Sequence, residues 1–395
     1  AATQRRGRVG RIKEGVCYHL YTKKQFEKFI DFQIPDIQKS DLSSDILDLM
    51  KLPDVNNIGD LNEKLNELIE PPKENFRIAS LNILKSIGAI TSIHDDGYLT
   101  IIGECISNFR AIEPIQARAL ISSYNYRCKD DVIDIFSIVE LCDSRLEMLF
   151  VEPREKEFKK DFEKTKKQLS SEYGDLFTIL KIYRMYQKEK LQIGGNLNNK
   201  NSNLNNKNIN LNIAEEEKLY DNNGQLIIKN EPYKRSLKKW CEENYISYRI
   251  LKRVKSKSKE TNRILLKNMR DLKFKYRKYK ENPDNFHLDL KELLTELSVD
   301  DSYLIDRNGK DYLELCKTMK KEIHSNILRA ILDGYKINIC KKNGNNFKTC
   351  FPQKQVSCSI NKITTLKNIG TYVIYNELFE QNGVKINIAN KLTDK

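Results

Sequence analysis

The stretch Thr3-Gln4-Arg5-Arg6-Gly7-Arg8-Val9-Gly10-Arg11 is the most informative part of the 395-residue sequence. Arginines recur at every third position from Arg5, and Gly7 and Gly10 lie between them. Glycine permits tight turns, which lets long guanidinium side chains reach one point. A guanidinium binds phosphate oxygens in pairs and keeps its charge, so converging arginines suit a triphosphate and the charge that develops in phosphoryl transfer.

The alternative for this stretch is an Arg/Gly tract that binds RNA without specificity or forms an unstructured tail. Gln4 and the apolar residues 15–22 that follow argue against it. We expect residues 15–22 to form a strand and Thr22 to cap the next helix. Residues 1–30 are therefore predicted to be the closing edge of an α/β domain.

Charge and composition restrict the class of partner. The net charge is +14, and residues 231–280 contain 18 Lys and Arg against 5 Asp and Glu. Such a cluster attracts a polyanion, most commonly nucleic acid, although a solvated basic helix is the alternative. The sequence contains no apolar run of membrane-spanning length and no signal peptide, so we expect no membrane contact.

The nine cysteines and four histidines suggest no metal site. They form no C-x-x-C pair and no zinc-finger spacing, which is typical of idle thiols in a reducing compartment, the cytoplasm or nucleus. Richness in Asn, Lys and Ile indicates an AT-rich genome, such as that of a large DNA virus or a protist.

The remaining chain is predicted to be multidomain and mostly α, with small β parts. Residues 31–106 show helices, one of them after Pro71-Pro72, followed by a hairpin around Asp96-Gly97, as in a winged helix. Residues 107–318 are largely helical by pattern, as at 117–124, 132–141 and 176–186. An Asn-rich insertion at about 191–230 is expected to be a disordered loop. Residues 319–395 show one helix and five strands, which suits a small barrel such as the OB-fold.

Q-R-R-G-R-V-G-R followed by G-V-C-Y-H-L-Y-T resembles helicase motif VI and the last strand of the second RecA-like domain in superfamily 2 DEAH-box RNA helicases. Further stretches similar to this family follow in the same order along the chain. They begin at Pro35, Leu84, Leu99, Tyr173, Trp240, Ile327 and Tyr372.

The resemblance implies that Gln4, Gly7, Arg8 and Arg11 face the phosphates of ATP, with Arg8 and Arg11 as catalytic arginine fingers; Arg5 is less certain. It implies ATP with Mg²⁺ as cofactor. The sequence contains no G-x-x-x-x-G-K-S/T and no D-E-x-H, so the Mg²⁺ ligands are expected in a preceding part, and this chain alone is expected to be inactive.

The resemblance further implies that the winged helix, a ratchet-like helical bundle and the OB-fold enclose single-stranded RNA, or an RNA duplex with an overhang. A G-patch-type activator is a further partner in the family, and we expect a monomer. Val356-Ser-Cys-Ser359 replaces the H-P-S sequence that the family tends to carry, which leaves the RNA contacts there open.

Lys348 and Lys354 lie on or beside predicted barrel strands and are candidates for contact with phosphate; solvated surface lysines are the alternative. A second possible function is a stand-alone RNA-binding or scaffold module without ATPase activity. A third is a DNA-binding regulator that uses the winged helix, although residues 77–88 contain only Arg77 and Lys85 as cations.

Overall fold

The structure is a computed structural model. Among the residues that it describes, the structure contains thirteen α-helices, seven β-strands and three short 3-10 segments. Among these residues, none of the helices is both long enough and apolar enough to cross a bilayer. The described residues are 2–29, 35–110, 112–201, 219–220, 226–227, 231–281, 325–351, 356–360, 370–380 and 383–392.

The N-terminal segment contains two short helices, α1 (Ala2–Arg6) and α2 (Lys23–Phe26). Thr22 caps α2 as predicted, because its side chain accepts a hydrogen bond from the Gln25 backbone N–H in a reciprocal capping box. The predicted strand over 15–22 is wrong for this structure, where these residues are irregular. A strand needs a hydrogen-bonded neighbour, and none of the described residues supplies one.

Residues 35–107 contain four helices: α3 (Ser43–Leu49), α4 (Ile58–Asn66), α5 (Glu74–Ser86) and α6 (Ile101–Ser107). The predicted helix after Pro71-Pro72 is α5, which begins at Glu74. The helices share one apolar core, whose fully buried members are Ile46, Ile58, Leu61, Leu84 and Ile87.

The predicted hairpin around Asp96-Gly97 is only partly formed. One antiparallel bridge joins Ile90 and Leu99, and no longer ladder follows it in this described part of the chain. Thr91 N–H donates to the Tyr98 carbonyl at 3.0 Å, but Tyr98 N–H donates to the Thr91 hydroxyl, also at 3.0 Å. Because a side chain takes the place of the second backbone acceptor, the ladder stops after one pair.

The helical bundle has α8 (Lys129–Leu141) at its centre. It packs against α7 (Pro114–Asn125), α10 (Asp175–Asn201), α12 (Tyr248–Glu281) and α13 (Asn326–Gly334). Two further helices lie beside α10, namely α9 (Lys159–Leu169) and α11 (Glu231–Glu243). The predicted helices at 117–124, 132–141 and 176–186 are confirmed.

The Asn-rich insertion differs from its prediction where it is described. Helix α10 continues to Asn201, so the start of the tract is helical, and β1 (Leu219–Tyr220) pairs antiparallel with β2 (Leu226–Ile227). Helical hydrogen bonds are local, so a helix that has been nucleated can continue one residue at a time. The prediction for residues 202–218, 221–225 and 228–230 lies outside the described residues.

The C-terminal part is a closed barrel of five strands, which confirms their prediction. The strands are β3 (Ile339–Asn343), β4 (Asn346–Thr349), β5 (Ser357–Ile360), β6 (Tyr372–Glu380) and β7 (Val384–Lys391). Their order is β3-β4-β5-β7-β6, and β6 closes the barrel on β3. Only β5 and β7 are parallel among these described strands. Cys340, Phe347, Cys358 and Val373 lie in the barrel core.

Side-chain hydrogen bonds attach the barrel to the helical bundle. Asp175 at the start of α10 accepts from Ala389 N–H, and Asn390 accepts from Leu176 N–H, both at 2.9 Å. Tyr335, which follows α13, donates its hydroxyl to Asn376 at 2.7 Å. The side chains that form these hydrogen bonds are buried, and losing one partner would leave a buried polar group unpaired, which costs free energy. The barrel is therefore held in one orientation on the bundle.

Replacing Gly334 by alanine is expected to destabilise the protein. A Cβ at Gly334 would lie 2.0 Å from the Ile115 carbonyl oxygen, at the crossing of α13 and α7. The backbones would have to separate, which typically costs about 1–3 kcal/mol. Urea unfolding measures this cost. Gly7→Ala is the control, because its Cβ would meet only Thr3 O at 3.4 Å and Gln4 O at 3.7 Å, both ordinary contacts; equal stability of the two variants would contradict the expectation.

Candidate functional sites

The arginine turn directly follows α1. Gly7 N–H donates to Thr3 O at 2.9 Å and Arg8 N–H to Arg5 O at 3.2 Å, so helical bonding extends into the turn. Gly10 then adopts φ +83°, a conformation that favours glycine, and the chain reverses. Arg11 returns toward the helix, where its Nε donates to Gly7 O at 3.2 Å. The turn therefore places Arg11 beside the end of α1.

The side chains predicted to contact phosphate are all exposed. Arg8 and Arg11 form no ion pair with any carboxylate that the structure describes. Their charge is thus available to an anionic ligand. Residues 2–29 offer only two carboxylates, Glu14 and Glu27, and no group of three metal-binding side chains was found among the described residues. This segment fits the phosphates of ATP, but not the Mg²⁺ ion, whose ligands are carboxylates and water.

Apolar and aromatic side chains around the turn are also exposed. Ile12 and Leu20 are 99% and 98% exposed. Tyr21 packs against Phe26 and Phe29, with ring centroids 5.9 and 5.1 Å apart. Exposed apolar side chains in such number are typical of a surface that another part of a protein covers.

The barrel presents a row of four outward-facing side chains across adjacent strands. Tyr372 on β6 is paired with Lys341 on β3, Lys341 with Lys348 on β4, and Lys348 with Ser357 on β5. Directly paired residues point to the same face of a sheet. Lys341, Lys348 and Ser357 are exposed and Tyr372 is half-buried. We call these four residues the barrel row.

The chemistry of the barrel row favours a polyanion with flat rings. Lys341 and Lys348 are like charges in directly opposite positions, an arrangement that destabilises a sheet. Lys341 Nζ also lies 5.6 Å from the centre of the Tyr372 ring. Single-strand sites combine cations, which contact phosphates, with an aromatic ring, on which a base stacks. The barrel row has both.

Of the two lysines predicted for the barrel, Lys348 is placed in this row, whereas Lys354 lies outside the described residues. Sequence reasoning missed Lys341, Ser357 and the role of Tyr372. The signal was the strand register. Only the register shows that Tyr372, 31 positions along the chain, lies beside Lys341, and that Ser357 lies beside Lys348. Hydrophobic periodicity alone does not supply it.

Several buried cysteines are unsuited to nucleophilic chemistry. Burial raises the pKa of Cys128 to about 11 and the pKa values of Cys142 and Cys241 to about 12. In the barrel, Cys340 and Cys358 lie 3.6 Å apart, sulfur to sulfur; their hydrogen bond, together with burial, raises the pKa of Cys340, and the same hydrogen bond lowers the pKa of Cys358. A thiol with a raised pKa is a poor nucleophile. Cys316 lies outside the described residues.

Comparison with curated proteins identifies related helicases. The chain is 30% identical over 192 residues to a putative ATP-dependent RNA helicase of Acanthamoeba polyphaga mimivirus, covering 47% of this chain and 27% of that protein. It is 34% identical over 197 residues to the ATP-dependent RNA helicase DHX33 of Mus musculus, covering 49% and 25%. No family model matches the chain.

A third relative extends the similarity. The pre-mRNA-splicing factor ATP-dependent RNA helicase DEAH10 of Arabidopsis thaliana is 28% identical over 255 residues, covering 64% of this chain and 29% of that protein. The comparisons confirm the resemblance to DEAH-box ATP-dependent RNA helicases that the sequence motifs indicate. The chain spans between a quarter and a third of the length of these curated relatives.

Proposed function

We propose that this chain is the C-terminal part of an ATP-dependent RNA helicase, which begins within the second RecA-like domain at motif VI. The barrel row carries the proposal for RNA, because it places two unneutralised lysines and a tyrosine side by side on an exposed sheet face. The relatives named as ATP-dependent RNA helicases support the enzyme class.

The domain assignment is part of the proposal. Residues 31–106 are a winged helix, 107–318 a ratchet-like helical bundle and 319–395 an OB-fold. The strand order supports the last assignment, because the first three strands pair in sequence, the third pairs parallel with the fifth, and the fourth closes on the first. The OB-fold is a five-stranded Greek-key barrel that binds oligonucleotides on its second and third strands, here β4 and β5.

The arginine turn contributes to the ATP site. Arg8 and Arg11 bind the phosphates of ATP and stabilise the negative charge that develops during phosphoryl transfer. Gln4, one helical turn before Arg8, faces the same phosphates. Bound ATP with Mg²⁺ supplies the phosphoryl group and its metal. Residues of the preceding RecA-like domains hold the Mg²⁺ and cover the exposed side chains of Ile12 and Leu20. The chain alone therefore hydrolyses no ATP.

The proposal has a direct test in the gene. The reading frame upstream of the Ala1 codon is expected to encode a Walker lysine motif and a D-E-x-H motif, because these supply the phosphate-binding lysine and the Mg²⁺ ligands. A stop codon followed by a start codon directly before Ala1 would instead support the second function, a stand-alone RNA-binding or scaffold module. That module would share the barrel row but would show no effect of ATP on RNA binding.

The partners follow from the same proposal. Single-stranded RNA, or the overhang of a duplex, lies on the barrel row between the winged helix, the helical bundle and the RecA-like domains. A G-patch-type activator and a monomeric state are proposed from the family resemblance alone. The protein acts in a reducing compartment, the cytoplasm or nucleus, in keeping with the six buried free thiols among its described cysteines.

A further inference from the structure

Helix α12 has two faces of opposite character. Its buried face, which includes Leu251, Val254, Leu265 and Met269, packs on α8 and α7. The opposite face carries eight exposed cations: Arg249, Lys252, Arg253, Lys255, Lys259, Arg263, Lys267 and Arg270. At 100° per residue these eight lie within an arc of about 160°, centred away from the core. We call them the cationic face of α12.

Negative charge is nearly absent from this face. Residues 249–270 contain nine Lys and Arg and one acidic residue, Glu260. Glu260 is paired with Lys257 at 3.4 Å, and Lys257 also binds Glu140 at 2.6 Å. Within the described part of the chain, none of the eight cations forms an ion pair. Their mutual repulsion destabilises the helix unless a ligand neutralises it.

The buried face holds α12 rigidly in place. Asn268 is 1% exposed, and its side-chain amide donates to the Cys105 carbonyl at 2.9 Å. Ser258 donates to Asp134 at 2.7 Å, and the adjacent Lys257 pairs with Glu140 at 2.6 Å. The cationic face is therefore carried on a fixed, straight support about 32 Å long from Arg249 to Arg270.

The composition of the cationic face distinguishes it from the barrel row. No aromatic residue occurs between Arg249 and Arg270. Single-strand sites use aromatic rings on which exposed bases stack, whereas a duplex hides its bases and is bound mainly through its phosphates and its shape. A long cationic face without aromatic rings therefore fits a duplex, and the barrel row with Tyr372 fits a single strand.

We propose that the cationic face of α12 binds the phosphate backbone of double-stranded RNA. It is a contact separate from the single-strand site on the barrel, and it rests on the proposed function in taking RNA as the ligand. The contact holds the duplex portion of a substrate whose overhang lies on the barrel row. Because it reads only backbone charge, it has no sequence preference.

Fluorescence anisotropy with the 395-residue chain tests this inference. The probes are a blunt RNA duplex of about 24 base pairs and an oligouridine of about 12 nucleotides, each titrated at several KCl concentrations. The test variant combines Lys259→Glu, Arg263→Glu and Lys267→Glu, which lie on one line of the cationic face. The matched control combines Lys160→Glu, Lys164→Glu and Lys167→Glu, three exposed lysines on one face of α9.

The α12 variant is expected to bind the duplex at least about tenfold more weakly, with a salt slope shallower by about three, while oligouridine affinity stays within about twofold. The milder variant Lys259→Gln, Arg263→Gln and Lys267→Gln should show a smaller loss in the same direction. An equal loss in the α9 control, or unchanged duplex binding by both α12 variants, would overturn the inference. If the inference fails but the wild-type chain binds oligouridine, the proposed function is still supported. If the wild-type chain does not bind oligouridine, the proposed function is overturned as well.

Discussion

Replacing Arg8 or Arg11 by alanine in the full-length protein is expected to lower the turnover of RNA-stimulated ATP hydrolysis about a thousandfold or more. An arginine at the transferred phosphate stabilises charge that is greatest in the transition state, and such fingers contribute about 10³–10⁵ in rate. Both arginines are exposed and have no carboxylate partner among the described residues, so the substitutions remove no structural contact beyond the Arg11–Gly7 hydrogen bond.

The change should appear mainly in kcat. An interaction that forms only in the transition state lowers kcat and kcat/KM together, whereas loss of ground-state binding raises KM alone. Arg6→Ala is the matched control, because Arg6 ends α1 two residues before Arg8 and is also exposed. Near-normal kcat in Arg8→Ala and Arg11→Ala, or a comparable loss in Arg6→Ala, would show that the arginine turn is not part of the ATP site.

Removing the aromatic ring and the central cation of the barrel row is expected to weaken single-strand binding strongly. We expect the double variant Tyr372→Ala and Lys341→Ala to bind oligouridine roughly 10- to 100-fold more weakly. Stacking of a base on an aromatic side chain contributes about 1–3 kcal/mol, and a phosphate contact adds to it. The substitution also removes the like-charge pair of Lys341 and Lys348, so the sheet loses an unfavourable contact.

Salt dependence separates the two side chains. Lys341→Ala alone should reduce the slope of log affinity against log salt by about one, whereas Tyr372→Ala should lower affinity with little change in slope. The control is Tyr173→Ala with Lys160→Ala, which removes one exposed tyrosine and one exposed lysine outside the barrel. Oligouridine affinity that is unchanged in the double variant, but reduced in the control, would place the single-strand site elsewhere.

Two errors of the sequence prediction share a physical cause. Residues 15–22 have the composition of a strand, but a strand is a relation between two segments, and the described residues provide no partner for it. The hairpin at Ile90 and Leu99 stops after one pair, because the Thr91 hydroxyl takes a backbone donor. In both places the residues have the composition of a strand, but hydrogen bonding between segments determined whether a strand formed.

The sequence by itself determined the long helices, the five strands of the barrel and the arginine turn. These features depend on interactions within a few residues, such as helical periodicity, the cap at Thr22 and the turn at Gly10. They can therefore be predicted from the sequence. The motif order also sufficed for the resemblance to DEAH-box RNA helicases, which the relatives confirm.

Only the tertiary structure decided which side chains stand together. Tyr372, Lys341, Lys348 and Ser357 come from four strands, and their common face depends on the closure of the barrel and on its register. The cationic face of α12 likewise becomes distinct only after α8 buries the other side of the helix. Local propensity sets where an element forms, but packing and register set which of its residues meet a ligand.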